Sequence, residues 1–228
     1  MTALHLSRVR LRRDAQIAAL ARLLLPEETG AQAVAAHRLI WALFADAPER
    51  QRDFLWRQEQ PGQYLALSRR PPLPLADVFE IETKEFAPAL AAGDRLGFRL
   101  HANPVVAAGG KPGQRGRRHD VVMHALHRLP AGAERAEARL ETAIAAGRAW
   151  FARQGEAQGF APVGEVAIDG YETVRLPREG APPIRYSVLD FEGVLTVLDP
   201  PRFLAALAQG FGRARAFGCG LMLIRRAG

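Results

Sequence analysis

The chain has 228 residues, enough for one large domain or two small ones. Hydrophobic residues make up 48% and charged residues 24%, a globular composition whose core needs no staples. The formal net charge of +7 points to a polyanion: nucleic acid, an anionic membrane or an acidic protein. Arginine supplies nearly all the cations, since only Lys84 and Lys111 are lysines. Its planar fork suits phosphates and base edges. The single cysteine, Cys219, excludes an intramolecular disulfide and a thiolate metal cluster, and fits a reducing cytoplasm. Met1 to Arg13 alternates apolar and basic residues with no apolar stretch, so no secretory signal is expected. No run reaches the 18 or so apolar residues of a membrane span.

In chain order, Leu4 to Leu11 reads as an opening strand, with Arg8, Arg10, Arg12 and Arg13 along it and just beyond. Ala31 to Ala45 carries Val34, Ile40, Trp41 and Phe44 at helical spacing, and Pro48 ends that stretch. Phe54 to Gln58 and Tyr64 to Arg69 read as strands around a Pro61-Gly62 turn. A weak helix is expected near Leu75 to Phe79, after Pro71, Pro72 and Pro74, and then a strand from Ile81 to Phe86. Pro88 to Asp94 reads as a linker between residues 1–88 and 94–228.

The order then repeats. Leu96, Phe98 and Leu100 alternate with Gly97, Arg99 and His101, a half-buried strand. A basic loop spans Val105 to His119, and Glu134 to Gln154 is the strongest helix. Hairpins are expected around Asp169-Gly170 and Glu192-Gly193. Pro201 to Gln209 reads as a helix with proline at its start and Gly210 after its end, and Leu221 to Arg225 closes the fold. Two βαββαβ units predict an α+β protein of two tandem ferredoxin-like domains.

Three constellations stand out. Gly210 to Gly220 holds four glycines with Arg213, Arg215, Phe211 and Phe217. It reads either as an anion cradle, with its phenylalanines stacking bases, or as a helix-to-strand turn with them plugging the core. Lys111, Arg115, Arg117 and Arg118 fall within eight residues among glycines and a proline. They form either a backbone-tracking loop or a solvated surface. His119, His124 and His127 with Asp120 match no zinc spacing. No nucleophile elbow and no dense carboxylate cluster is present. An RNA cutter without a metal can use the substrate's own 2′-hydroxyl, aided by a proton-transfer group and by cations. His37 beside Arg38 meets both needs, as do other pairs here.

These residues resemble the repeat endoribonuclease of type I-E CRISPR systems, the CasE family, over nearly the whole chain. The resemblance runs through Leu6-Ser7-Arg8-Val9, His37-Arg38-Leu39-Ile40-Trp41-Ala42-Leu43-Phe44 and Arg52-Asp53-Phe54-Leu55-Trp56-Arg57. It continues through Phe98-Arg99-Leu100-His101-Ala102-Asn103-Pro104, Phe191-Glu192-Gly193-Val194-Leu195 and Gly210 to Leu221. It implies metal-independent, cofactor-free cutting of CRISPR repeat RNA 3′ of a hairpin stem, by 2′-hydroxyl attack. It also implies that the product stays bound and that the chain joins the other Cascade subunits, with no membrane role. His37 is then the catalytic residue. Arg38, Arg99, Lys111, Arg115, Arg117, Arg118, Arg213 and Arg215 are the RNA-contact candidates. Two positions depart from the family pattern. Val34 stands where the family has tyrosine, and His101 replaces an arginine. Val34 keeps a second reading open, a subunit that binds RNA without cutting it. A metal hydrolase built on His119, His124 and His127 is a third.

Overall fold

A computed structural model describes every residue except 1–2, 21–23, 48, 110–115, 133–135, 179 and 228. The first unit comprises β1 (Leu4–Leu11), α1 (Ala15–Ala19), α2 (Thr29–Ala42), β2 (Phe54–Gln60), β3 (Gln63–Ser68) and β4 (Phe79–Phe86). Its sheet is antiparallel in the order β2-β3-β1-β4. Ile40, Leu43 and Phe44, from α2 and just beyond it, pack on Val9, Phe54, Trp56 and Tyr64 to form its core. Burial of these side chains holds the helix. The helix expected at Leu75 to Phe79 does not form. The Val78 and Phe79 N–H groups donate to the Leu75 carbonyl at 3.1 and 2.9 Å, and the chain then enters β4. Pro71, Pro72 and Pro74 have no N–H groups with which to build a turn upstream.

The second unit comprises β5 (Arg95–Ala102), β6 (Val105–Ala108), β7 (Arg117–Asp120), α3 (Val121–Leu126), α4 (Arg139–Gln158), β8 (Phe160–Leu176), β9 (Ile184–Val197), α5 (Pro200–Gln209) and β10 (Met222–Arg226). Its main sheet runs β10-β5-β9-β8, the same permutation of four strands as the first. The expected tandem ferredoxin-like architecture is therefore present. Leu96, Phe98 and Leu100 of β5 face Trp150 and Phe151 of α4, with Phe98 and Phe151 stacked at 4.6 Å.

Several elements differ from expectation. Val105 to His119 is not all loop: β6 and β7 form a two-stranded ribbon, with Arg118 opposite Ala107 and Arg117 opposite Ala108. Lys111, Arg115, Pro48 and the expected helix start at Glu134 lie outside the described residues. The long helix runs to Gln158 and ends at Gly159 in a left-handed cap with φ of 80°. Asp120 caps the unexpected α3 by accepting from the Met123 N–H at 2.7 Å. No hairpin turn forms at Asp169-Gly170 or at Glu192-Gly193. Both pairs lie inside the long β8–β9 ladder, where Glu192 and Gly193 face Arg99 and Phe98 of β5. Gly170, at φ of 65°, sits at a register shift, a bulge that the sequence presents as a turn.

The expected linker is packed. Leu90 rests on the second core, and the Gly93 N–H donates to the Val197 carbonyl at 2.8 Å. The units also meet across a buried cluster of Leu55, Leu67 and Leu221. Ala33 and Val34 of α2 rest on Val174, Leu176, Val188 and Cys219. Gly30 allows this approach, because a Cβ there would collide with the Arg175 carbonyl. Among the described residues no helix is long and apolar enough to cross a membrane.

Candidate active site

The docking of α2 on the second unit decides where His37 points. One helical turn separates His37 from Trp41, and their ring centroids lie 6.0 Å apart. The other neighbour is Phe217, at 5.2 Å, from the segment that follows α5. That segment makes a single 3-10 turn at Arg215–Phe217. His37 Nδ1 lies 2.8 Å from the Ala216 carbonyl oxygen, 179 residues away in the chain. A carbonyl only accepts, so Nδ1 carries the hydrogen. In the neutral ring Nε2 is then the bare nitrogen, ready to take a proton.

Five amides of the glycine-rich segment are engaged within the protein. The N–H groups of Gly210, Phe211, Arg213, Phe217 and Gly220 donate to the carbonyls of Ala206, Gly220, Asn103, Ala214 and His101, at 2.8 to 3.0 Å. Phe211 is a buried core residue, stacked edge-on near Phe160. Phe217 is half-buried and lies parallel to Tyr186 at 5.9 Å. The segment also carries the cationic side chains of Arg213 and Arg215.

Those side chains form a cationic group. Arg213 is exposed, and Arg215 is half-buried with Nε donating to the Gly212 carbonyl at 3.1 Å. Burial lowers the pKa of the Arg215 guanidinium, and the charge of Arg213 adds to the effect. Arg52, just before β2, is half-buried and donates weakly to the Phe54 carbonyl at 3.5 Å. Burial lowers its pKa too, followed by the charge of Arg215. Elsewhere arginines sit on carboxylates, as Arg50 does on Asp46 at 2.7 Å and Arg226 on Asp94 at 2.7 Å. Like charges gathered beside one another cost free energy in the free protein and suit a polyanion.

The other expected residues lie apart from this group. Arg38 is exposed on α2. Arg99 is exposed, 3.8 Å from Glu192, and lines a groove of about 500 Å³ between the units with Arg57, His101 and Asp190. His101 Nδ1 lies 2.9 Å from Asp190 Oδ1, so an acid occupies the position's partner space. Burial pushes the Asp190 carboxyl up, but the His101 hydrogen bond and charge, with Arg57 and Arg99, bring it below its ordinary value. Arg117 and Arg118 are exposed on the β6–β7 ribbon, which packs on α3. The His119 and His124 rings are 5.7 Å apart, and Arg128 Nη2 donates to His124 Nε2 at 3.1 Å. Asp120 Oδ1 accepts from the Met123 N–H of its cap and from the Tyr171 hydroxyl at 3.0 Å, while Oδ2 is buried without a hydrogen-bond partner among the described residues. Among the described residues no three of His, Cys, Asp and Glu are grouped to hold a metal ion.

Against known proteins, a family model described as CRISPR associated protein matches residues 4–226. The chain belongs to that family. A relative named CRISPR system Cascade subunit CasE, from Escherichia coli, is 28% identical over 193 residues, 82% of this chain and 88% of the relative. A Thermus thermophilus relative named CRISPR-associated endoribonuclease Cse3 is 32% identical over 153 residues, 62% of this chain and 60% of the relative. The solved structure of Thermus thermophilus Cse3 bound to an RNA representing a pre-cleavage complex superposes with a TM-score of 0.67. It is 25% identical, covering 98% of this chain and 99% of that one. The family match spans both sheets, in line with the motifs quoted from both halves of the sequence.

Two members of the site were missed by reading the sequence. Arg52 was read only as part of a strand motif. The Ala216 carbonyl has no signature at all, because a backbone acceptor carries no residue type.

Proposed function

We propose that this chain is an endoribonuclease that cuts CRISPR repeat RNA, keeps the product and serves as a subunit of a Cascade-type complex in the cytoplasm. The observation that carries the reading is the His37 ring held by Nδ1 on the Ala216 carbonyl, next to Arg215. In the proposed step His37 Nε2 takes the proton of the 2′-hydroxyl. The 2′-oxygen forms a bond to the adjacent phosphorus, and the bond from phosphorus to the 5′-oxygen breaks. The products are a 2′,3′-cyclic phosphate and a 5′-hydroxyl whose proton comes from water, and the proton held on His37 Nε2 returns to solvent. Arg215, Arg213 and Arg52 offset the charge that builds on the phosphoryl oxygens. Arg38, Arg99, Lys111, Arg115, Arg117 and Arg118 are proposed to hold the rest of the RNA. The division into residues 1–88 and 94–228 is proposed on the two separate cores.

A second reading rests on Val34. Its side chain lies against Val174, Val188 and Cys219, so no hydroxyl is offered at that place on α2. A chain that binds without cutting would follow. Incubation with the cognate repeat hairpin in EDTA separates the readings. Cutting is expected in EDTA, and a 2′-deoxy nucleotide at the scissile position should bind and survive. Binding without any cutting would select the second reading. Cutting of the 2′-deoxy substrate would refute the nucleophile.

A further inference from the structure

The Ala216 carbonyl receives two donors. His37 Nδ1 lies 2.8 Å from it, and the indole Nε1–H of Trp56 donates to the same oxygen at 3.1 Å. Trp56 is 2% exposed and belongs to the first unit's core, stacked edge-on near Tyr64 at 5.8 Å. Its ring therefore has little freedom, and its N–H marks a fixed point in space. The Ala216 carbonyl lies on a short segment. It is a 3-10 turn flanked by Ala214 at φ of 50° and Gly218 at φ of 82°. A carbonyl oxygen has two lone pairs and can accept both hydrogen bonds at once.

The local packing supports the same point. Gly218 lies flat on the Trp56 ring, where a Cβ would sit 3.2 Å from two ring carbons. The left-handed backbone at Gly218 and this close approach both demand glycine. The indole thus supports the segment at Gly218 and aims its carbonyl at Ala216. β2 and α2 both belong to the first unit, so two donors of one unit converge on one oxygen of the other's loop.

We propose that Trp56 is a positioning residue for the cleavage reaction: by anchoring the Ala216 carbonyl it fixes the tautomer and orientation of His37. The inference rests on His37 as the proposed catalytic group. Without the indole N–H the carbonyl has one partner and is free to swing. His37 is then no longer held with its hydrogen on Nδ1 and its bare nitrogen on Nε2. The role needs the N–H and not the bulk of the ring.

Two variants separate these. Trp56→Phe removes the N–H and part of the ring. Replacing Trp56 alone with benzothienylalanine, in which sulfur stands for the N–H, removes the donor and keeps the shape. Nitrogen-15 spectra of labelled histidine report the His37 tautomer directly. The wild type should show a single neutral form with hydrogen on Nδ1, and the isostere a mixture of both forms. Single-turnover cleavage by the isostere should fall about fivefold to tenfold, the range one lost hydrogen bond supports, with RNA affinity unchanged. An unchanged tautomer in the isostere would overturn the proposal. So would a mixed tautomer with an unchanged rate. The spectra are read without RNA, so they stand even if His37→Ala leaves cleavage intact, the result that would instead refute His37 as the catalytic group.

Discussion

Removing Arg52 should move folding and RNA binding in different directions. Among the described residues its guanidinium makes a weak hydrogen bond to the Phe54 carbonyl at 3.5 Å, and the charge that perturbs it is that of Arg215. Deleting it relieves like-charge repulsion and forfeits little, so Arg52→Ala should melt within about 0.5 kcal/mol of the wild type, the usual range for surface changes. RNA binding should weaken. Each phosphate contact contributes about 0.7 to 0.9 to the slope of log affinity against log salt. A fourfold rise in salt should therefore weaken wild-type binding about threefold more than that of Arg52→Ala. Fluorescence anisotropy with a labelled repeat hairpin, from 50 to 200 mM salt, reads this slope at about the span over which such losses are usually measured. A lowered melting temperature with an unchanged slope would make Arg52 a structural residue and dissolve the cationic group.

Two further predictions concern titration. Burial pushes the Cys219 thiol up to about 12. It should resist thiol reagents at about pH 8 in the folded chain and react once denatured, whereas fast labelling of the native protein would contradict its packing. The Asp190 carboxyl lies below its ordinary value, so its contribution to stability is present above the unfolded pKa of about 3.9 and is lost as pH falls through the lower folded one. Melting curves of wild type and Asp190→Asn should differ by a constant amount near neutral pH and converge in acid. A difference that grew as the pH fell would reverse the sign of the argument.

The fold was legible where apolar periodicity and chain punctuation agreed. β1 and α5 fall within a residue of expectation, because β1 is a run of alternating side chains and α5 carries proline at its start with Gly210 after it. The two misplaced hairpins share one physical cause. Glycine marks a turn, a bulge or a close backbone approach with the same letter. At Gly170 it serves a bulge in a 17-residue strand, and at Gly193 it lies beside the Phe98 ring within the sheet. Neither use can be told from a turn until the partner strand is known.

The site was legible in its side chains and hidden in its joins. Arg213 and Arg215 were named from their own residue types, and His37 from the resemblance to the CasE family. The contact of His37 with Ala216 and Phe217 depends on α2 crossing to the second unit, which Gly30 and Val34 permit by packing and not by any motif. The glycine-rich segment was first weighed as a phosphate cradle. Five of its amides donate to protein carbonyls, and its contact with His37 is the Ala216 oxygen.

The most direct test of the account is His37→Ala with the cognate repeat hairpin, measuring single-turnover cleavage and affinity together. Loss of a proton-transfer group should slow cutting by about 10²- to 10⁴-fold with affinity unchanged. Cutting at the wild-type rate would contradict the assignment of the chemistry to His37.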